Sequence, residues 1–102
     1  MPRTKSLAAL IEHYGEERIY NPKANKVPAI YKILNKHIFN NRLKNPKIII
    51  RRMHGALGLF EFNPYATKFC YKITIHNKFK NFREFVEILG HEMVHYLSLI
   101  HI

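Results

Sequence analysis

With 102 residues, 47% of them hydrophobic, the chain has enough apolar material for one modest core and too little for two, so a single domain is expected rather than a disordered one. No apolar run is long enough for a membrane-spanning helix, and Leu7 to Ile11, cut short by Glu12, is too weak for a signal peptide. Seventeen Lys and Arg oppose seven acidic residues, giving a formal charge of +10, a field that favours phosphate polymers and acidic surfaces.

Ser6 to Tyr14 reads as a short amphipathic helix ended by Gly15. Glu16 to Lys26 is polar, contains Asn21-Pro22 and reads as a loop. Pro28 suits the first position of a second helix. Ile30, Tyr31, Ile33, Leu34, His37 and Ile38 carry its helical period to about Phe39. His37 lies beside that stripe and reads as a core-edge residue, not a ligand. Asn40-Asn41 and Asn45-Pro46 punctuate the exit.

The period then changes. Lys47 to Met53 contains the β-branched run Ile48-Ile49-Ile50 and reads as a strand. His54-Gly55 reads as a turn and Leu57 to Phe62 as a second strand, closed by Asn63-Pro64. In the third strand Phe69, Tyr71, Ile73 and Ile75 alternate with Cys70, Lys72, Thr74 and His76, so one face is apolar and the other polar. The short connections predict hairpins and hence a three-stranded antiparallel sheet. Cys70 is the lone cysteine; it has no internal disulfide partner, fits a reducing, cytoplasmic setting and reads as a packing or surface thiol.

A last helix follows. Asn81 with Glu84 three residues later forms a capping-box pattern. Phe82, Phe85, Val86, Leu89, Met93, Tyr96 and Leu97 form an apolar stripe. The expected fold is therefore α+β: two N-terminal helices, a small sheet and a C-terminal helix laid across it.

That last helix carries His91-Glu92-Met93-Val94-His95, an H-E-x-x-H pattern. Residues four apart sit one turn above each other, so both imidazoles can reach one metal ion. Glu92 points about 100° away from His91, beside the metal, where a carboxylate can take a proton from water. The plain alternative is a surface helix with two solvated histidines. Zinc in a catalytic site ordinarily takes three protein ligands and keeps one open position. His101 lies six residues after His95, the spacing of a longer zinc motif, although Ser98 occupies the position where that motif has glycine. His54 and His76 flank strands and read as solvated residues. Arg51, Arg52, Lys72, Lys78 and Lys80 are candidate nucleic-acid contacts. An AT-rich genome also enriches Lys, Asn, Ile, Phe and Tyr without any such role.

Several segments together resemble the SprT-like family of zinc metalloproteases, which includes the Spartan proteases that act on protein–DNA crosslinks. Tyr31-Lys32-Ile33-Leu34-Asn35 through Ile38-Phe39 and Leu43 is similar to the family's first helix and its exit. Gly55 to Phe62 resembles its glycine-containing strand, and Tyr71-Lys72-Ile73-Thr74-Ile75 the strand before the catalytic helix. Leu89-Gly90-His91-Glu92-Met93-Val94-His95 resembles its Leu-x-His-Glu-Met-x-His core, the sharpest of the four. The resemblance implies a zincin-like fold, a bound Zn2+, peptidase activity on a protein substrate, and a DNA-linked role without sequence specificity. It also implies that His91 and His95 are zinc ligands and Glu92 the general base. The family's third ligand is a downstream histidine, typically in a His-Gly pair; the sequence stops at Ile102 without one, so a domain spanning 1–102 and incomplete at its C-terminus is expected. Two other readings stay open. One is a repressor-cleaving regulatory zinc peptidase, although no helix-turn-helix is visible. The other is a non-catalytic, basic nucleic-acid-binding domain with an incomplete metal site.

Overall fold

The computed structural model describes residues 18–67 and 70–100. The expected helix Ser6–Tyr14, Phe69 of the third strand and His101 lie outside the described residues. Helix α1 spans Val27–Ile38, with Pro28 in its first turn, and buries Val27, Ile30, Tyr31, Leu34 and Asn35. Its exit is set by two asparagines in the left-handed region, Asn40 (φ 54°) and Asn41 (φ 59°), a conformation that asparagine tolerates better than most residues. The 41 amide returns to the carbonyl of Asn35 at 2.8 Å. The loop before α1 is pinned by a reciprocal backbone pair between Tyr20 and Phe79, at 2.9 and 2.8 Å.

Three strands follow: β1 (Lys47–Ile50), β2 (Gly58–Phe62) and β3 (Tyr71–Ile75). Their order in the sheet is β1-β3-β2. β2 pairs antiparallel with β3, as its short connection predicts, but β1 runs parallel to β3. The sheet is therefore mixed, which corrects the expected all-antiparallel arrangement. Segment 51–57 does not close a hairpin. It carries the chain past one strand position, and β3 later fills the gap.

Register places Ile48, Ile50, Ile73, Ile75, Phe60 and Phe62 on one face of the sheet, because side chains alternate along each strand. Helix α2 (Phe82–Ile100) packs on that face and buries Phe82, Phe85, Val86, Leu89, Met93 and Tyr96. Its first turn has the expected cap: Asn81 Oδ1 accepts from the Glu84 amide at 2.8 Å. Glu84 Oε1 in turn accepts from the Lys80 amide at 3.0 Å, one residue earlier than the usual reciprocal bond.

The helices are tied together through the loop between α1 and β1. Tyr31 donates its hydroxyl proton to the Lys44 carbonyl at 2.6 Å, and the Lys44 amide donates to the Tyr96 hydroxyl at 3.2 Å. Asn35 clamps the same loop through its side-chain amide, which donates to the Leu43 carbonyl at 2.7 Å and accepts from the Leu43 amide at 3.2 Å. A buried amide with both functions satisfied fixes a loop without a strand pairing. Near-parallel aromatic rings, Phe62 on Tyr71, Tyr71 on Tyr96 and Phe60 on Tyr96, join the sheet to α2 at centroid distances of 5.3, 4.3 and 5.4 Å. No helix among the described residues is long and apolar enough to cross a membrane.

Candidate metal centre

Helix α2 has two working faces. Its apolar stripe is buried against the sheet, and His91, Val94 and His95 lie on the exposed side. Between them Glu92 turns inward and is only 6% exposed. The histidine rings stand at 90° with centroids 4.6 Å apart, and their Nε2 atoms approach to 3.1 Å. One ring can donate to the other across that gap, depending on the tautomer. The same spacing suits chelation: two nitrogens about 2.05 Å from one ion at a tetrahedral angle lie about 3.3 Å apart, against 3.1 Å here. The donor chemistry fits zinc through two imidazoles. Among the described residues, no third His, Cys, Asp or Glu joins them.

Glu92 owes its position to β2. A Cβ on Gly58 would lie 3.0 Å from Glu92 Oε2, 3.1 Å from its Cγ and 2.8 Å from Ile88 Cγ2. The missing side chain at Gly58 therefore lets the carboxylate lie against the strand. Gly58, Leu59, Phe60 and Phe62 of β2, with His91, Glu92, His95, Ser98 and Leu99 of α2, line one cleft of about 600 Å³. That volume is within the range of ligand clefts.

β2 is the edge strand beside this cleft. The His76 amide bonds to the Leu57 carbonyl at 2.9 Å and the Asn63 amide to the Cys70 carbonyl at 2.7 Å. In an antiparallel ladder hydrogen-bonded pairs alternate, so Leu59 and Glu61 face β3 with their backbone groups. Gly58, Phe60 and Phe62 point theirs outward, on the side of the sheet that has no further strand among the described residues.

The other histidines among the described residues are elsewhere. His76 is half-buried, and its Nδ1 accepts from the Met53 amide at 2.9 Å, so it holds the 51–57 connection in place and is not a solvated residue. His54 is exposed beside Gly55, whose φ of 81° makes the expected turn. His37 is exposed on α1, not at the core edge. Cys70 is half-buried, with its thiol 3.6 Å from the Ala66 carbonyl.

The basic candidates separate into two groups. β1 and β3 are parallel, so the segments carrying Arg51, Arg52, Lys78 and Lys80 leave the sheet at the same end, and all four are exposed. Lys72 sits near the opposite end, opposite Lys47 and Glu61 in register, and forms an ion pair with Glu61 at 3.7 Å. The sequence pattern pointed to the two histidines and the glutamate but not to Gly58 or the cleft walls. The only advance signal for Gly58 was a glycine in a strand, which marks close approach of another group. No protein-family model, curated protein or solved structure matches this chain.

Proposed function

We propose that the chain is a zinc-dependent endopeptidase of SprT-like type with a zincin-like arrangement. The observation that carries this reading is the pair of His91 and His95 Nε2 atoms 3.1 Å apart beside the inward-turned Glu92, in a cleft bounded by an edge strand. His91 and His95 would hold the zinc, with a third ligand from outside the described residues; His101 is the candidate within this sequence. When bound, zinc supplies Lewis acidity at the scissile carbonyl.

The chain's own residues supply the rest. An extended substrate adds to the free edge of β2, where the outward amides and carbonyls of Gly58, Phe60 and Phe62 hold its backbone. Glu92 removes a proton from water as the water oxygen bonds to the carbonyl carbon. As the C–N bond breaks, Glu92 gives that proton to the leaving amine. Burial of Glu92 against Gly58 limits its rotamers, so the carboxylate is held in place before the substrate arrives. Glu92→Gln is the direct test: cleavage of an unfolded protein substrate should fall at least about a hundredfold while zinc content is unchanged. Retained cleavage would remove Glu92 from its role.

The exposed group of Arg51, Arg52, Lys78 and Lys80 favours a DNA-linked setting, in which the charged end of the sheet holds phosphates and confines cleavage to nearby proteins. The same group also supports a second reading, a basic nucleic-acid-binding domain without catalysis. Protein that carries no zinc but binds single-stranded DNA with a steep salt dependence favours that second reading.

A further inference from the structure

The walls of the cleft differ in character from the rest of the surface. Seventeen Lys and Arg are spread along the chain, yet none of those among the described residues lines this cleft. Apart from His91, Glu92 and His95, the described side chains on the α2 side of the sheet that line it are Phe60, Phe62, Ser98 and Leu99, since register sets Leu59 on the opposite face. Phe62 is 44% exposed, so the apolar face of an aromatic ring is left open in the cleft that holds the proposed reacting groups. Its two phenylalanine rings are each stacked on a tyrosine. Phe62 stacks on Tyr71 at 5.3 Å and Phe60 on Tyr96 at 5.4 Å, and Tyr71 and Tyr96 stack on each other at 4.3 Å. A ring held by a ring presents a fixed wall and loses little freedom when a ligand arrives.

From these features we propose that the cleft selects extended peptides with a large apolar side chain, aromatic or branched, next to the bond presented to His91, Glu92 and His95. The assignment rests on the peptidase reading for the words "next to the bond", and on the cleft alone for the side-chain preference. The free backbone groups of Gly58, Phe60 and Phe62 recognise any extended chain, whatever its sequence. Discrimination therefore falls to the side-chain walls, and Phe60, Phe62 and Leu99 offer burial without a charge or a donor directed at a polar group. An acidic side chain is drawn to the molecule by its +10 charge but meets no Lys or Arg among the described residues that line the apolar walls, and it loses solvent there.

The test uses the full chain carrying Glu92→Gln, so that binding is read without turnover. Three short fluorescent peptides, identical save for Phe, Ser or Glu at the central position, are titrated by anisotropy. The Phe peptide should bind at least about tenfold tighter than the Ser peptide and also tighter than the Glu peptide. Phe62→Ala in the same background should reduce the Phe/Ser ratio to about threefold or less. Phe62 is largely outside the core, so this variant should fold, and Leu99→Ala provides an independent second wall. Tyr65→Ala, at a residue 90% exposed and outside the cleft, should leave the ratio unchanged. Equal affinity for the Phe and Ser peptides overturns the proposal. So does tightest binding of the Glu peptide, or a preference untouched by both wall variants. Failure of the peptidase reading is separable: a chain that prefers Phe but never cleaves with zinc present keeps this cleft and loses the enzyme. A chain that cleaves all three peptides equally keeps the enzyme and loses the preference.

Discussion

At the scale of single residues, the helix that carries both histidines contains one glycine that no neighbouring group packs against. Gly90 sits in the helix interior one residue before His91, and a Cβ built there meets nothing within 4 Å. Glycine in a helix interior costs about 1 kcal/mol relative to alanine. Gly90→Ala should therefore stabilise the fold by about 0.5–1 kcal/mol, read as a higher urea midpoint with unchanged slope. A lower midpoint would mean that the flexibility of this turn is built into the fold. The residues of the H-E-x-x-H pattern were legible in the sequence because helical period and four-residue spacing are local properties. The sequence set Glu92 about 100° from His91, beside the metal, but its burial became visible only with the contact to β2. The role of His76 was not legible, since its partner, the Met53 amide, lies twenty-three positions away and is brought close only by the sheet.

At the scale of elements, the contact between β2 and α2 fixes the site. Gly58→Ala places a methyl group within 2.8 Å of Ile88 Cγ2 and 3.0 Å of Glu92 Oε2. Something must shift, and overpacking of this kind costs about 1–3 kcal/mol. The expected result is a lower urea midpoint together with a fall in cleavage larger than the fraction unfolded explains, because the carboxylate moves. Activity that tracks stability alone would reduce Gly58 to a packing residue. Elements were read from the sequence better than their pairing. α1, the three strands and the capped α2 all stand close to where period and turn residues place them. The parallel pairing of β1 with β3 was missed, because a short connection reads as a hairpin whether or not a strand later inserts. A hint was present in Ile48-Ile49-Ile50, an unbroken β-branched run of the type found in parallel strands. Asn35 was read only as part of a helix, and its clamp on Leu43 depends on the loop returning to α1.

At the scale of the whole molecule, two tyrosines join both helices through the Lys44 backbone and tie stability to high pH. Burial, with Tyr96 nearby, pushes the Tyr31 hydroxyl well above its ordinary 10.0. Burial raises Tyr96 as well, partly opposed by its bond from the Lys44 amide. Both folded values lie above the unfolded ones, so the unfolded chain loses these protons first. The stabilisation is complete below about pH 10 and is lost as pH rises beyond it. The urea midpoint should be unaffected by these groups at about pH 8 and should fall towards about pH 11, with a shallower fall in Tyr31→Phe. An identical slope in that variant would remove Tyr31 from the effect. The charge of +10 was plain from composition, but its grouping was not. The parallel pairing brings Arg51 and Arg52 to the same end of the sheet as Lys78, and Lys72 is left at the far end with Glu61.

The central claim is that His91 and His95 hold one zinc ion together. Calorimetric titration of zinc into the full chain, beside His91→Ala and His95→Ala, tests it most directly. One ion per chain is the predicted stoichiometry, with each alanine weakening binding at least about tenfold and Glu92→Gln leaving it within about threefold. Equal affinity in the wild-type chain and in both alanine variants would contradict the claim.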